Sequence, residues 1–209
     1  MSPILAARDR LPWMSKDDPQ VESGSERLEA FSDSVMAVIM TLMAFQLRPP
    51  AGATLAAARA ELPALLVYVL SFGLIGTYLN NHHHLLRATH KISGAVMWAD
   101  LLLLFWLSLV PVVTAWMRVY YTRSLPAGAY GLVCLAAAIS YTLLVRTIIR
   151  ANGADSAVAI AISKDLKGFA SLVLYVAGVA LAALSPLVSY VLYACVVVMW
   201  LVPDRRFTR

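Results

Sequence analysis

The sequence predicts an all-α, polytopic membrane protein with six transmembrane helices in one bundle. Three observations predict it. First, of 209 residues 60% are hydrophobic and only 14% charged, with a mean hydropathy of +0.72. That composition is a membrane protein's rather than that of a soluble domain with a large core. Second, apolar stretches long enough to cross a bilayer recur along the chain, separated by short polar, proline or glycine breaks. Third, the charge is one-sided. With the N-terminus inside, thirteen of the 17 Lys and Arg residues fall in inner segments, and only Arg48, Arg59, Arg118 and Arg123 in outer ones. This positive-inside bias places both termini in the cytoplasm, with the chain in the cell membrane. It also accounts for a pI of about 9.4 without any nucleic-acid partner.

Residues 1–26 read as a polar leader with Trp13 at the membrane interface and no cleavable signal; 27–203 as the transmembrane domain; 204–209 as a basic tail. Ser25 is the expected N-cap of the first helix, which runs from about 27 to 47 and stops at Arg48-Pro49-Pro50. An Ala-rich connection over 51–61 suits a short interfacial helix. The second span starts near Pro63 and ends in Asn80-Asn81-His82-His83-His84. The third covers about 95–116, with a kink expected at Pro111. The fourth covers about 127–147, the fifth 168–184 and the sixth 187–202 up to Pro203, with a short amphipathic helix expected through Ile160 to Asp165. Cys134 and Cys195 lie in apolar stretches without CxxC spacing, as buried small hydrophobes.

The first helix carries the most information. In RLEAFSDSVMAVIMTLMAFQ (27–46), about 100° per residue puts Ser34, Val38, Thr41 and Phe45 on one narrow stripe with Leu42 at its edge. Hydroxyls alternate there with bulky apolar groups, which suits either a narrow, partly dry conduit or a helix-packing seam. Asp33 points a quarter turn or more away, on the side of Glu29. An acid near membrane depth needs a partner inside protein. With alternating spans, Arg27, Glu29 and Asp33 of the first helix meet His82, His83 and His84 of the second and Asp100 of the third at the inner face, in one polar knot. The three consecutive histidines fan apart by about 100° each and do not converge on one ion, so no resident metal is expected. No nucleophile motif, cofactor loop or HExxH is present, so neither an enzyme nor a cofactor is expected. The potassium filter sequence TVGYG is also missing, so any conduction uses side chains. A proton-coupled transporter using Asp33, Asp100 and the histidines, or a non-conducting scaffold, remains open at this point.

The motif Arg27-x-x-x-Phe31-Ser32-Asp33, followed by apolar helix with Thr41, resembles the prokaryotic relatives of the lysosomal potassium channel transmembrane protein 175. The likeness continues through Ser71-Phe72, Tyr78-x-x-x-His82-His83, Trp98 and Pro203-Asp204-Arg205. The resemblance implies a six-helix repeat that assembles as a homotetramer in the bilayer and passes monovalent cations, potassium preferred. It implies that the first helix of each subunit lines the pore. Val38 then stands at the hydrophobic constriction, Leu42 and Phe45 narrow the path further, and Thr41 matches a layer tied to potassium preference. Arg27, Ser32 and Asp33, with His82 or His83, would brace the first helix against its neighbours. The chain departs from the pattern at Val38, smaller than the usual Ile or Leu, at Phe45-Gln46 for Leu-Glu, at Leu79 for Trp and at Asp100 for Asn.

Overall fold

The computed structural model describes residues 24–162 and 166–201. The leader to residue 23, Lys164 and Asp165, and the basic tail with Pro203 lie outside the described residues. Within them every regular element is a helix: α1 (Gly24–Phe45), α2 (Leu55–Ala60), α3 (Leu62–Arg87), α4 (Gly94–Ser108), α5 (Val110–Val119), α6 (Ser124–Asn152), α7 (Ala157–Ile162), α8 (Leu166–Leu181) and α9 (Pro186–Leu201). Among the described residues, four segments are long and apolar enough to cross a membrane: α1, α3, α4 with α5, and α6. The helices α8 and α9 are apolar but only 16 residues each. The chain is an integral membrane protein.

Several boundaries depart from the sequence reading for local reasons. Ser25 sits inside α1, one residue after the first described residue of that helix. The polar run Asn80 to His84 continues α3 as helix to Arg87. Pro111 does more than kink its span. It has no N–H to donate, and its ring crowds the carbonyl four residues back, so the helix breaks at Leu109. The gap is bridged by a tighter turn, Leu109 N–H to Trp106 O at 3.2 Å, and α5 resumes with Pro111 in its first turn. The short helix expected near 160 is α7, set a few residues earlier. Gly153 ends α6 at φ +97°, a backbone region that favours glycine. Cys134 is buried as expected, whereas Cys195 is exposed on the outer side of α9.

The long helix α6 is the hub of the bundle, packed against α4, α5, α8 and α9. Leu103, Leu107, Met117, Leu144 and Ile148 fill that core. Buried polar groups inside it are paired: Thr114 Oγ1 donates to Ser71 Oγ at 2.8 Å, and Ser71 Oγ lies 3.2 Å from Tyr130 Oη, linking α5, α3 and α6. At one end Asn152 holds the α3–α4 connection. Its Oδ1 accepts from the N–H groups of His90 and Lys91, and its Nδ2 donates to Lys91 O.

Tyr193 of α9 is wedged against α6 and α8. A Cβ at Gly131 would collide with the Tyr193 hydroxyl, and one at Gly178 with its ring. The close approach of three helices therefore depends on those two glycines. Gly131→Ala should lower stability by about 1–3 kcal/mol through overpacking, read as a lower thermal midpoint of the purified protein in detergent.

Candidate functional site

Two faces of α1 part company in the fold. Leu28, Ser32, Met36, Ile39 and Met43 recur at helical spacing and are buried against α3, α4 and α5. About half a turn away lie Ser34, Val38, Thr41, Leu42 and Phe45, all exposed. Val38 is 58% exposed, Leu42 51% and Phe45 82%, while Met36 is 0%. The stripe read from the sequence is thus the face that the chain's own bundle leaves uncovered.

The two hydroxyls on it are oriented by the helix. Ser34 Oγ donates to Ala30 O at 2.6 Å, and Thr41 Oγ1 donates to Ala37 O at 2.9 Å. A carbonyl only accepts, so each hydroxyl proton is turned back into the helix. The oxygen lone pairs are left facing outward, where they are able to accept from water or coordinate a cation.

The polar knot forms, in two layers. The inner layer is fully buried. His82 Nε2 donates to Asp100 Oδ1 at 2.6 Å, and Ser32 Oγ lies 2.7 Å from Asp100 Oδ2 and 2.9 Å from Leu28 O. It joins α3, α4 and α1 at one point. The outer layer is partly exposed. His83 Nδ1 lies 2.8 Å from Glu29 Oε1 and 3.2 Å from Asp33 Oδ2, and Arg87 Nε lies 3.3 Å from Glu29 Oε1.

Ser32, Asp33, His82, His83 and Asp100 are therefore brought together. Arg27 is not. It is exposed, and no ion pair joins it to the described residues of its own chain. The reason is angular: Arg27 sits about 200° from Glu29 and falls at the head of the Val38–Phe45 stripe. Arg87 takes the basic position in the knot instead. Its signal was present in the sequence, since it lies four residues after His83 and so on the same helix face, but only if α3 runs past His84.

Fold and site together define a membrane-embedded α-helical bundle with one hydroxyl-bearing apolar helix face left uncovered. Comparison with known proteins identifies the family. The family profile described as "Endosomal/lysosomal potassium channel TMEM175" matches residues 27–111. A potassium channel of Chryseobacterium sp. (strain P1-3) is 40% identical over 183 residues, covering 88% of this chain and 95% of that protein. A potassium channel of Streptomyces collinus is 34% identical over 131 residues, covering 59% and 63%. The crystal structure of a lysosomal potassium-selective channel TMEM175 homolog from Chamaesiphon minutus shares the fold, with a TM-score of 0.76 at 24% identity over 86% of this chain and 97% of that one. The chain belongs to the TMEM175 potassium-channel family, which is a family of ion channels and not of enzymes.

The inner layer generates a prediction. Asp100→Ala would leave a buried imidazole N–H without an acceptor, at a cost of about 1–3 kcal/mol. Asp100→Asn keeps an oxygen for His82 and offers an amide N–H to Ser32, so its loss should be clearly smaller. Thermal midpoints of the two variants in detergent check the order.

Proposed function

We propose that the chain is a passive, potassium-preferring cation channel of the cell membrane, assembled as a homotetramer with both termini cytoplasmic and six spans per subunit. One helix cannot enclose a path, so four copies of α1 would face each other across a central axis. Val38, Leu42 and Phe45 would form a hydrophobic constriction that opens by wetting and closes by dewetting. Thr41 and Ser34 would supply oxygen to the passing ion.

The observation that carries this reading is the stripe. A single subunit buries the opposite face of α1 and leaves Val38, Leu42 and Phe45 outward. Membership of a potassium-channel family and the outward lone pairs of Ser34 and Thr41 support it. The knot would then serve as a brace, fixing α1 by its edge while its outward face stays uncovered. Potassium preference should be modest, because a few hydroxyls replace an ion's hydration less completely than rings of carbonyls.

The test is a reversal potential in liposomes with potassium on one side and sodium on the other. The account expects reversal displaced toward the potassium equilibrium potential. Val38→Ala and Phe45→Ala should raise conductance or leak, and Thr41→Val should move the reversal potential toward zero. Saturating, proton-coupled uptake would favour a transporter. No current across pH, with folded protein, would favour a scaffold.

A further inference from the structure

On the outer layer of the knot, ligand atoms of Glu29, Asp33 and His83 all lie within 4.8 Å of one another. We propose that these three side chains form a binding site for a divalent transition ion of the zinc class. The set is one imidazole and two carboxylates from two helices. Zinc takes such ligands at about 2.0–2.2 Å, which separates neighbouring ligand atoms by about 3.3–3.5 Å in a tetrahedral site. His83 Nδ1 is 2.8 Å from Glu29 Oε1 and 3.2 Å from Asp33 Oδ2. Opening the first distance by about 0.6 Å and the second by about 0.2 Å reaches that spacing, with the two carboxylates already within 4.8 Å of each other. The ion takes the place of the proton between the imidazole and the carboxylates.

A second observation comes from beneath the triad. His82 is 0% exposed, and its Nδ1 has no hydrogen-bond partner. That atom faces Asp33 Oδ1, also buried and without a partner, at 3.9 Å. His82 Nε2 is taken by Asp100 at 2.6 Å, so Nδ1 is the ring atom left toward the cluster, beside an Asp33 oxygen that no donor reaches. A cation bound at Asp33 would give that buried carboxylate oxygen the partner it lacks. An imidazole braced by a carboxylate through its other nitrogen is also how metal-binding histidines are held.

The site is reachable. A cavity of about 530 Å³, lined by Glu29, Asp33, Arg87 and His90 among others, opens beside it. Arg87 is the competing cation on Glu29, and its side chain is 67% exposed, so it is free to swing away. An imidazole in the set favours a zinc-class ion over magnesium or calcium, which require all-oxygen shells. Such an ion would tie α1 to α3. Any effect on conduction rests on the pore reading above, but binding does not.

Tag-free, full-length protein in detergent is titrated with Co²⁺ as the spectroscopic probe. The expected result is visible Co²⁺ bands saturating at one ion per chain, displaced by Zn²⁺ and not by Mg²⁺. His83→Gln and Glu29→Gln should each weaken binding at least tenfold, within the range of about 10–100-fold seen when a metal site loses a supporting group. His90→Gln, a change in the same cavity, should leave it unaltered. His83→Cys should retain binding and add a thiolate-to-cobalt charge-transfer band, which a misfolded protein would not give. No stoichiometric binding by the unmodified chain, unchanged affinity in both Gln variants at 83 and 29, or His83→Cys binding without that band would each overturn the site.

Discussion

The buried contact between His82 and Asp100 is the constraint on which the rest of the architecture depends. At 2.6 Å and fully out of solvent, the pair tolerates no loss of either partner, because a lone buried charge or donor has no water to fall back on. It joins the C-terminal part of α3 to the N-terminal half of α4. Ser32 brings α1 onto the same carboxylate. Three helices are thereby set in rotation as well as in position. Once Ser32 faces Asp100, the helical repeat puts Met36, Ile39 and Met43 inward, and Ser34, Val38, Thr41 and Phe45 have no choice but to face out.

That arrangement separates two tasks along one helix. The inward face of α1 is ordinary core, built from methionines and an isoleucine. The outward face is poorly suited to solve its own solvation, since it mixes large apolar groups with hydroxyls whose protons are turned into the backbone. Such a face needs lipid, another subunit or a water-filled path. The shoulder between the two carries Glu29 and Asp33, which reach His83 and extend the link to α3 toward the aqueous edge. The bracing groups therefore touch α1 from the side and leave the outward face clear.

Much of this was legible in the sequence, for identifiable reasons. The bundle, its membrane character and the α1 stripe follow from hydropathy and a 3.6-residue period, which depend on local chain geometry alone. The meeting of Asp33, His82, His83 and Asp100 followed from alternating span direction, and the place of Ser32 from the likeness to the Arg27-x-x-x-Phe31-Ser32-Asp33 motif. The division of labour within the knot did not follow. Nothing in the sequence says that Asp100 is wholly buried while Asp33 stays at the edge, because that depends on how α4 rotates against α1 and α3. In the sequence, Arg27 falls in the knot by span direction and by likeness to the motif, but its angle on α1 opposes both. The break at Leu109 went further than a kink because Pro111 removed a helical hydrogen bond that the neighbouring turn replaced. Cys195 looked buried because an apolar stretch reads the same whether it faces protein or lipid.

Cysteine accessibility along α1 tests the central claim most directly. In a background with Cys195 replaced by serine and the buried Cys134 retained, single cysteines are placed at Ser34, Val38, Leu42 and Phe45, and separately at Met36, Ile39 and Met43. Currents are followed while a charged, water-soluble thiol reagent is applied. The account predicts that modification at the first group blocks or alters the current, with protection by permeant ions, and that the second group is silent. Block at Met36, Ile39 and Met43 with no effect at the stripe would contradict it.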